Sequence, residues 1–331
     1  MSLVEAQGLR KYFSTGSGFV ARYFSDERVH AVDGVDLEIE RGQTMGLVGE
    51  SGCGKSTLGN LLMRIHEPTE GTVSFGGTDI TALSGSELRP YRSEMQMVFQ
   101  NPQNSLNPKH SVGKILRKAI EFHDVAQGDE ADALARQYLS DVGLRPEHVE
   151  RYPHEFSGGQ QQRIAIARAL SVDPEFIVLD EPVSALDVSV QAKILDLIEE
   201  LKVEYDLTLL FITHDLNVVR HVCDEVSVMY LGEIVENAPT PELFEDPYHP
   251  YTRALFDSIT LPEPGELEAG GGIKGETPSP IDPPSGCRFR TRCPEAMEEC
   301  ETVNPELVER ERDTTAGTRR TACHLYDAVD D

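Results

Sequence analysis

The strongest chemical pattern in this 331-residue sequence is a glycine-rich loop that could surround phosphate groups. The loop matches the pattern G-x-x-x-x-G-K-[ST] at every position, and its residues, with the one that follows, are Gly49, Glu50, Ser51, Gly52, Cys53, Gly54, Lys55, Ser56 and Thr57. Glycines let the backbone curl so that successive N–H groups point inward, and Lys55 adds a charge near the β- and γ-phosphates. The Ser56 hydroxyl would bind Mg²⁺, and Thr57 would reach an α-phosphate oxygen. The loop therefore predicts a Mg²⁺–nucleotide site.

The residues on either side of this loop have the periodicity that such a site needs. A short apolar strand is predicted at residues 45–48, directly before the loop. After the loop, Leu58, Leu61, Leu62 and Ile65 recur at helical spacing. Because the glycine loop lies between a predicted strand and a predicted helix, a phosphate-binding loop is favoured over a chance glycine-rich turn.

Reactive side chains also follow two later apolar runs, which are typical of strands in a parallel sheet. The run at 176–179 ends in Asp180 and Glu181, and the run at 207–212 is followed by Thr213 and His214. Asp180 is expected to hold Mg²⁺ through water, and Glu181 beside it to act as general base toward an attacking water. His214 is expected to hydrogen-bond the γ-phosphate and that water.

A second predicted helix start, at residues 157–160, could also bind an anion. Ser157 is placed to cap the helix, and Gly158, Gly159 and Gln160 follow with exposed N–H groups. Because the chain already has one complete phosphate loop, this second site is predicted to contact a nucleotide bound to another subunit.

These motifs, in this order, resemble those of ABC-type ATPases over roughly residues 1–255. The sequence at residues 152–157, 181–187 and 248–252 is similar to that of the ATP-binding subunits of oligopeptide/dipeptide importers. Of the two ATPase subunits of these importers, it is more similar to the second. Phe156 comes directly before the Ser157–Gln160 motif, at a position where this family most commonly has Leu. The difference exchanges one apolar side chain for another.

The resemblance implies roles for further residues. Gln100 would touch the Mg²⁺ or the water and couple the site to a helical subdomain that meets the membrane subunits. Ser157 and Gly159 would contact the γ-phosphate across a dimer, and Asp187 would join the two sites at the interface. An N-terminal aromatic residue would stack on adenine, with Phe13 preferred over Tyr12.

The fold class expected is α/β: a P-loop NTPase (ABC ATPase) core with an inserted helical subdomain and a small cysteine-containing C-terminal tail. The expected boundaries are an ATPase domain at 1–260 with the helical subdomain at about 103–170, a Pro- and Gly-rich linker at 261–286, and the tail at 287–331. A polar, aromatic-rich insertion is expected near residues 14–29.

Composition limits the partners. The net charge is −27, from 57 acidic and 30 basic residues, which argues against nucleic acid. Of the cations, 22 are Arg and 8 are Lys, and this acidic, lysine-poor composition suggests adaptation to high salt. An ordinary acidic cytosolic protein is the alternative. Without an apolar run of about 18 residues or a secretion signal, the chain is expected to be cytoplasmic. The resemblance implies a location at the cytoplasmic face of the membrane.

Four cysteines in the tail form a candidate metal site. They are Cys287, Cys293, Cys300 and Cys323, with spacing C-x5-C-x6-C-x22-C. Cys53 and Cys223 are expected to be small buried residues. Related importer subunits carry a similar tail, which in some holds a [4Fe–4S] cluster, and Arg288, Arg290 and Arg292 would suit its negative charge. Zinc and unligated thiols are the alternatives.

The function expected is ATP hydrolysis that powers import of oligopeptides, dipeptides or related solutes. The partners expected are a paralogous ATPase subunit (or a second copy), two integral membrane permease subunits and an extracellular solute-binding protein. The alternative is a soluble ABC ATPase acting on DNA or ribosomes, but such proteins tend to carry coiled-coil insertions, zinc modules or two cassettes in one chain.

Overall fold

The computed structural model describes residues 1–15, 27–257, 275–310 and 318–329. Most of the insertion expected near 14–29 and the first part of the expected linker, 261–274, lie outside the described residues. The chain divides into two compact units. The first comprises Met1–Leu3, Ile39–Thr44 and Ala82–Thr213, and the second comprises Val4–Glu38, Met45–Thr81 and His214–Asp331.

The bounds of the regular elements in the described residues are as follows. The strands are β1 (Ser2–Ser14), β2 (Arg28–Glu40), β3 (Thr44–Val48), β4 (Glu70–Phe75), β5 (Thr78–Asp79), β6 (Met95–Val98), β7 (Phe176–Asp180), β8 (Thr208–Ile212), β9 (Glu225–Tyr230), β10 (Glu233–Pro239), β11 (Val308–Glu309) and β12 (Arg320–Thr321). The α-helices are α1 (Lys55–Leu62), α2 (Arg89–Glu94), α3 (Pro102–Ser105), α4 (Val112–Phe122), α5 (Gly128–Asp141), α6 (Gly158–Leu170), α7 (Val188–Glu204), α8 (Leu216–Val222), α9 (Thr240–Glu245), α10 (Pro250–Asp257) and α11 (Glu299–Thr302). Short 3₁₀ helices cover Pro146–Glu150, Pro153–Glu155 and His324–Val329.

The first unit contains three parallel strands in the order β8-β7-β6. Every residue of β7 and β8 is buried, which confirms the prediction that these apolar runs form covered parallel strands. Asp180 at the end of β7 lies in register with Ile212 at the end of β8. The reactive residues therefore follow the carboxyl ends of neighbouring strands, where open α/β sheets bind ligands.

Helices α4, α5 and α6 lie in the same unit. In α4, Val112, Ile115, Leu116 and Ile120 are buried on one face, and Ser111 caps its start. All three helices fall within residues 103–170, the range expected to be mainly helical.

The second unit contains two groups of paired strands. One is ordered β2-β1-β4-β5, with β1 antiparallel to β4. The other is ordered β11-β12-β10-β9-β3, with β3 parallel to β9 and the other pairs antiparallel. Strands β11 and β12 come from the cysteine-containing tail, so the tail extends the strand group that begins with β3.

A buried ion pair fixes the tail to this group. Arg319 donates to Glu236 of β10 at 3.1 Å, and the exposed fractions of the two side chains are 4% and 0%. The backbone N–H groups of Tyr248 and His249 also donate to Glu236, at 2.7 and 2.9 Å. Breaking such a hydrogen-bonded buried pair by removing one partner leaves an uncompensated charge, which is strongly destabilising.

None of the helices described is long and apolar enough to cross a membrane.

Candidate functional site

The glycine-rich loop lies in the second unit between β3 and α1. Gly49 and Gly54 have φ angles of +151° and +114°. A Cβ at Gly49 would overlap the carbonyl oxygen of Met229, and one at Gly54 would overlap that of Ala31. Only glycine meets both the conformational and the spatial demand at these positions.

Lys55 is buried within this loop, with 6% of its surface exposed. Its ammonium donates to the carbonyl oxygens of Gly49 at 2.8 Å and Glu50 at 2.9 Å, and lies 3.7 Å from Cys53 Sγ. Burial raises the pKa of the Cys53 thiol, an effect that the charge of Lys55 opposes. The loop therefore carries a lysine whose donors are already oriented by backbone oxygens.

The remaining predicted residues of this loop lie around the start of α1. Ser51, Gly52 and Ser56 are exposed, and Thr57 is half-buried. Gly54 occupies the N-cap position, where no side chain bonds the first N–H groups of α1. A helix start of this kind offers donors and a positive dipole end to an anion.

Glu50 has partners that the sequence patterns did not suggest. Its carboxylate accepts two hydrogen bonds from Arg292, at 2.8 and 3.0 Å, and one from the Thr277 hydroxyl at 3.1 Å. Its backbone N–H donates to the Tyr251 hydroxyl at 2.9 Å. Arg292 and Glu50 are 242 positions apart, so no local spacing signal could have revealed the contact.

The two aromatic candidates for adenine stacking differ in their surroundings. Tyr12 donates its hydroxyl to Asp33 at 2.5 Å, and burial together with this bond raises its pKa to about 12. Phe13 is half-buried, meets His66 edge-on with ring centroids 5.7 Å apart, and has the Lys11 ammonium 5.2 Å from its ring centre. Tyr12 is thus engaged in a hydrogen bond, whereas the contacts of Phe13 with described residues include those of its ring with His66 and Lys11.

His214, also in the second unit, is exposed. It directly precedes Asp215, whose carboxylate accepts the Asn217 N–H at 2.9 Å and caps α8. The capped helix start fixes the backbone that carries the imidazole.

In the first unit the structure brings Gln100 and Glu181 together. The Gln100 amide nitrogen donates to the Glu181 carboxylate at 2.7 Å. Gln100 follows β6 and is exposed, whereas Asp180, at the end of β7, is 8% exposed. An amide and two carboxylates at strand ends are oxygen-rich groups of the kind that Mg²⁺ and water bind.

Glu181 has an unusual backbone for a non-glycine residue, with φ of +47°. Its N–H donates to Ile212 O at 2.9 Å, and its carbonyl accepts from the Ser184 hydroxyl at 3.2 Å. Such a conformation costs about 1–3 kcal/mol and persists where surrounding bonds hold it, commonly at functional sites. No sequence pattern indicated this strain.

The turn before α6 forms the cap that the sequence predicted. Gln160 N donates to Ser157 Oγ at 3.4 Å, and Ser157 N donates to Gln160 Oε1 at 3.1 Å. Ser157 and Gly158 are exposed, whereas Phe156 is buried, as expected for an apolar replacement of leucine. The turn is therefore closed by its own capping box, with Ser157 and Gly158 exposed at the helix start.

Gly159 allows this turn to pack against the start of α7. A Cβ on Gly159 would lie 2.5 Å from Val190 Cγ1, and one on Gly158 would lie 3.4 Å from Leu186. Asp187, exposed, occupies the N-cap position of α7, next to Val188, which is 81% exposed. Thus Gly159 and the loop containing Asp187 are brought together, beside an exposed apolar side chain.

The four tail cysteines interact with one another. Burial raises the pKa of Cys287 to about 11 and that of Cys323 to about 12, and the neighbouring thiols add to both shifts. Cys293 and Cys300 are among those neighbours, and the Cys287 N–H donates to the Cys300 carbonyl at 2.9 Å. Even so, no three His, Cys, Asp or Glu side chains in the described parts of the chain are arranged to hold a metal ion.

The tail arginines have other partners than the sequence interpretation gave them. Arg288 pairs with Asp33 and, at 2.9 Å, with Glu233. Arg290 donates to the Ser285 carbonyl at 2.8 Å. Since Arg292 binds Glu50, two of the three cations neutralise acids of the second unit. Cys53 and Cys223 are both buried, as predicted.

Comparison with known families gave two matches along the chain. Residues 32–184 match the model described as ABC transporter. Residues 235–300 match the model described as oligopeptide/dipeptide transporter, C-terminal region.

Two curated proteins of Bacillus subtilis (strain 168) are similar over nearly the full length. The putative oligopeptide transport ATP-binding protein YkfD is 50% identical over 330 residues, covering 98% of this chain and 96% of the relative. The oligopeptide transport ATP-binding protein AppF is 47% identical, covering 98% of each.

A solved structure shares the fold. The ATP-binding cassette MJ0796, in a dimeric post-hydrolysis state bound to ADP and Pi, aligns with a TM-score of 0.64 and 30% identity. The alignment covers 72% of this chain and 99% of that one.

Proposed function

The chain belongs to the ABC transporter ATP-binding proteins of the oligopeptide/dipeptide type, and from this premise we propose that it powers peptide import by hydrolysing ATP. Its fold is the α/β ABC ATPase cassette. The observation with most weight is that both B. subtilis relatives align over the ATPase region and the C-terminal region together.

We propose that the phosphate loop holds the triphosphate. Lys55 would bind the β- and γ-phosphates, Ser56 would bind Mg²⁺, and Thr57 would reach the α-phosphate. The remaining loop residues would supply backbone donors. Phe13 would stack on adenine; its ring contacts support this choice, because the Tyr12 hydroxyl is bonded to Asp33.

Hydrolysis is assigned to the residues that follow the strand ends. Asp180 would hold Mg²⁺ through water, and Glu181 would act as general base toward the attacking water. Gln100 would bind the metal or the water; its bond to Glu181 supports a shared role. His214 would hydrogen-bond the γ-phosphate.

We propose that residues 157–160 act on ATP bound to another subunit. Ser157 and Gly159 would contact its γ-phosphate, with Gly158 and Gln160 completing the turn, and Asp187 would connect the two sites. The exposed position of Ser157 supports this role. The partner would be a paralogous ATPase subunit, with a homodimer as the alternative, and this chain would be the second of the two subunits.

The ATPase works with membrane permease subunits, as its family implies. We propose two such subunits, an extracellular solute-binding protein, and a location at the cytoplasmic face of the membrane. We also propose the division into an ATPase domain at 1–260 with a helical subdomain at about 103–170, a linker at 261–286 and a tail at 287–331.

Peptide uptake tests the proposed function. Cells carrying Lys55→Ala in place of the native chain are expected to lose uptake of labelled di- and oligopeptides and to keep the permease subunits in the membrane. Unchanged peptide uptake, with uptake of a metal or sugar lost instead, would refute peptide import. Recovery of the chain with DNA or ribosomes rather than with permease subunits would favour the soluble alternative.

The tail is proposed to bind a [4Fe–4S] cluster. Neighbouring thiols help to raise the pKa values of Cys287, Cys293 and Cys323. With Cys300, these cysteines match the number and kind of ligands that such a cluster takes, and it would be bound by their thiolates. Anaerobic purification should then give absorbance near about 400 nm and about four irons per chain. Stoichiometric zinc without iron, or neither metal, would overturn this assignment.

Adaptation to high salt is a further proposal, supported by the net charge of −27. The melting temperature should rise markedly between about 0.1 M and 2 M KCl, because screening reduces self-repulsion. A melting temperature insensitive to salt would contradict it.

A further inference from the structure

Glu50 connects the phosphate loop to the C-terminal part of the chain. Glu50 is the second residue of the loop, and Arg292 binds both of its carboxylate oxygens, at 2.8 and 3.0 Å. The Thr277 hydroxyl adds a third bond to this carboxylate at 3.1 Å. Two-point binding by a guanidinium fixes the orientation of the carboxylate as well as its position.

The surroundings make this ion pair stronger than an exposed one. The exposed fraction is 5% for the Arg292 side chain and 23% for Glu50. Burial works to raise the pKa of Glu50, but the hydrogen bonds and charge of Arg292 outweigh it, so the pKa lies below its usual value. Arg292 also donates to the Tyr230 hydroxyl at 3.3 Å. Charged pairs shielded from water are screened less than surface pairs.

The backbone of Glu50 is held as well as its side chain. Its N–H donates to the hydroxyl of Tyr251, a fully buried residue, and its carbonyl accepts from Lys55. The Tyr251 ring packs against Tyr230 and Phe289, with ring centroids 4.6 and 5.4 Å away. A shift of the Glu50 side chain would therefore be transmitted to a carbonyl that orients the phosphate-binding lysine.

We propose that Arg292 is a positioning residue that holds the phosphate loop in its nucleotide-binding conformation, an inference that rests on the loop binding ATP as proposed above. Residues 275–293, which contain Thr277 and Arg292, form a strap across Glu50. Without the guanidinium the loop samples other conformations, and ATP must restore the competent one at a cost in affinity.

The strap supplies its own control in Arg290. This arginine lies two residues from Arg292, but it donates to the Ser285 carbonyl and hydroxyl within the strap. Substituting Arg290 removes the same charge from the same segment and leaves the Glu50 contacts in place. Any effect of Arg292 substitution beyond that of Arg290 substitution reports the contact with the loop.

The test is a titration of the full-length chain with a fluorescent ATP analogue and Mg²⁺. Arg292→Gln is expected to weaken binding by about tenfold, within the usual range of coupling between linked sites. Arg292→Lys, which keeps the charge but loses the fork, should fall between Arg292→Gln and the unsubstituted chain. Arg290→Gln should bind like the unsubstituted chain.

The rise in melting temperature that ATP produces distinguishes a positioning role of Arg292 from a purely structural one. If Arg292 only stabilises the fold, Arg292→Gln lowers the melting temperature without ATP but keeps the same ATP-induced rise, and the inference is wrong. The inference predicts a smaller rise, because ligand stabilisation depends on the dissociation constant. Combining Glu50→Gln with Arg292→Gln should weaken binding little more than either change alone.

A second variant tests the same contact if Arg292→Gln does not fold. Thr277→Val, on an exposed residue, should weaken ATP binding by about two- to threefold, since it removes one hydrogen bond to Glu50. An ATP affinity that is unchanged in the folded variants would refute the positioning role of Arg292 but not the proposed nucleotide site. Failure of the unsubstituted chain to bind the analogue would refute the proposed nucleotide site itself.

Discussion

Two helix starts in the described part of the chain, those of α1 and α6, are proposed to contact nucleotide phosphates, and they are supported in different ways. The loop before α1 is held by its own unit: Arg292 and Tyr251 bind Glu50, and the lysine of the loop is buried. The turn before α6 is closed mainly by its own capping box, and Ser157 is exposed. The loop proposed to hold the nucleotide is thus organised differently from the turn proposed to contact a nucleotide on a neighbouring subunit.

The largest expected effect separates binding from chemistry. Glu181→Gln should lower ATP hydrolysis by at least about a hundredfold, because removing a general base typically costs that much. ATP affinity should be unchanged, since the binding residues remain. Single-turnover hydrolysis and analogue titration measure the two, with the exposed Glu200→Gln on α7 as control. Near-normal turnover would remove Glu181 from the assigned role.

The next effect tests the phosphate loop before α1. Lys55→Ala should weaken ATP binding by roughly a hundredfold, because the buried charge proposed to bind two phosphates is lost. Titration with a fluorescent ATP analogue measures this, and the exposed Lys193→Ala is the control. An affinity within about twofold of the unsubstituted chain would contradict a phosphate-binding role for this ammonium.

A smaller effect tests the turn before α6. Ser157→Ala should lower hydrolysis by about tenfold, because one hydrogen bond to the γ-phosphate is lost, while ATP binding to the isolated chain stays the same. Ser111 is a matched control, since it caps α4 with the same 3.4 Å bond. Ser111→Ala should cost similar stability, about 1 kcal/mol, without loss of hydrolysis. Equal losses in both variants would mean that Ser157 only caps its helix.

The smallest effect concerns pH and the segment that supports the held loop. Burial lowers the pKa of His249 to about 3, and Tyr251 N–H donates to its Nδ1 at 3.0 Å. The unfolded chain takes up the proton first, so the stability from neutral His249 is full above about pH 6.5 and falls as the pH decreases toward 3. Between pH 7.5 and 5.5 the loss should be about 1–1.5 kcal/mol.

His249→Gln should reduce this loss, measured as the free energy of unfolding in denaturant at the two pH values. His221→Gln, on an exposed histidine of α8, is the control. Identical pH dependence in His249→Gln and the unsubstituted chain would show that the buried imidazole does not titrate on unfolding.

The sequence predicted those parts of the site that are determined by short-range patterns. Strands β7 and β8 were identifiable as continuous apolar runs, and the Ser157 cap as a hydroxyl three residues before Gln160. The glycines of the phosphate loop were identifiable because their conformation leaves little choice of residue.

The parts that could not be predicted depend on contacts far apart in sequence. The sequence around Arg292 points to the neighbouring tail cysteines, and nothing in it points to Glu50, 242 positions away. Residue type alone does not reveal that the Tyr12 hydroxyl bonds Asp33, 21 positions away, whereas Phe13 has no such group. The positive φ of Glu181 is imposed by the backbone bond to Ile212, which follows from strand register rather than from residue type.

The most direct test of the account is the hydrolysis rate per molecule as a function of protein concentration, with and without a paralogous ATPase subunit. We expect the rate per molecule to rise with concentration, or on addition of the paralogue, and Ser157→Ala to blunt that rise. A rate that stays constant on dilution and ignores any partner would show that one chain completes its own catalytic site.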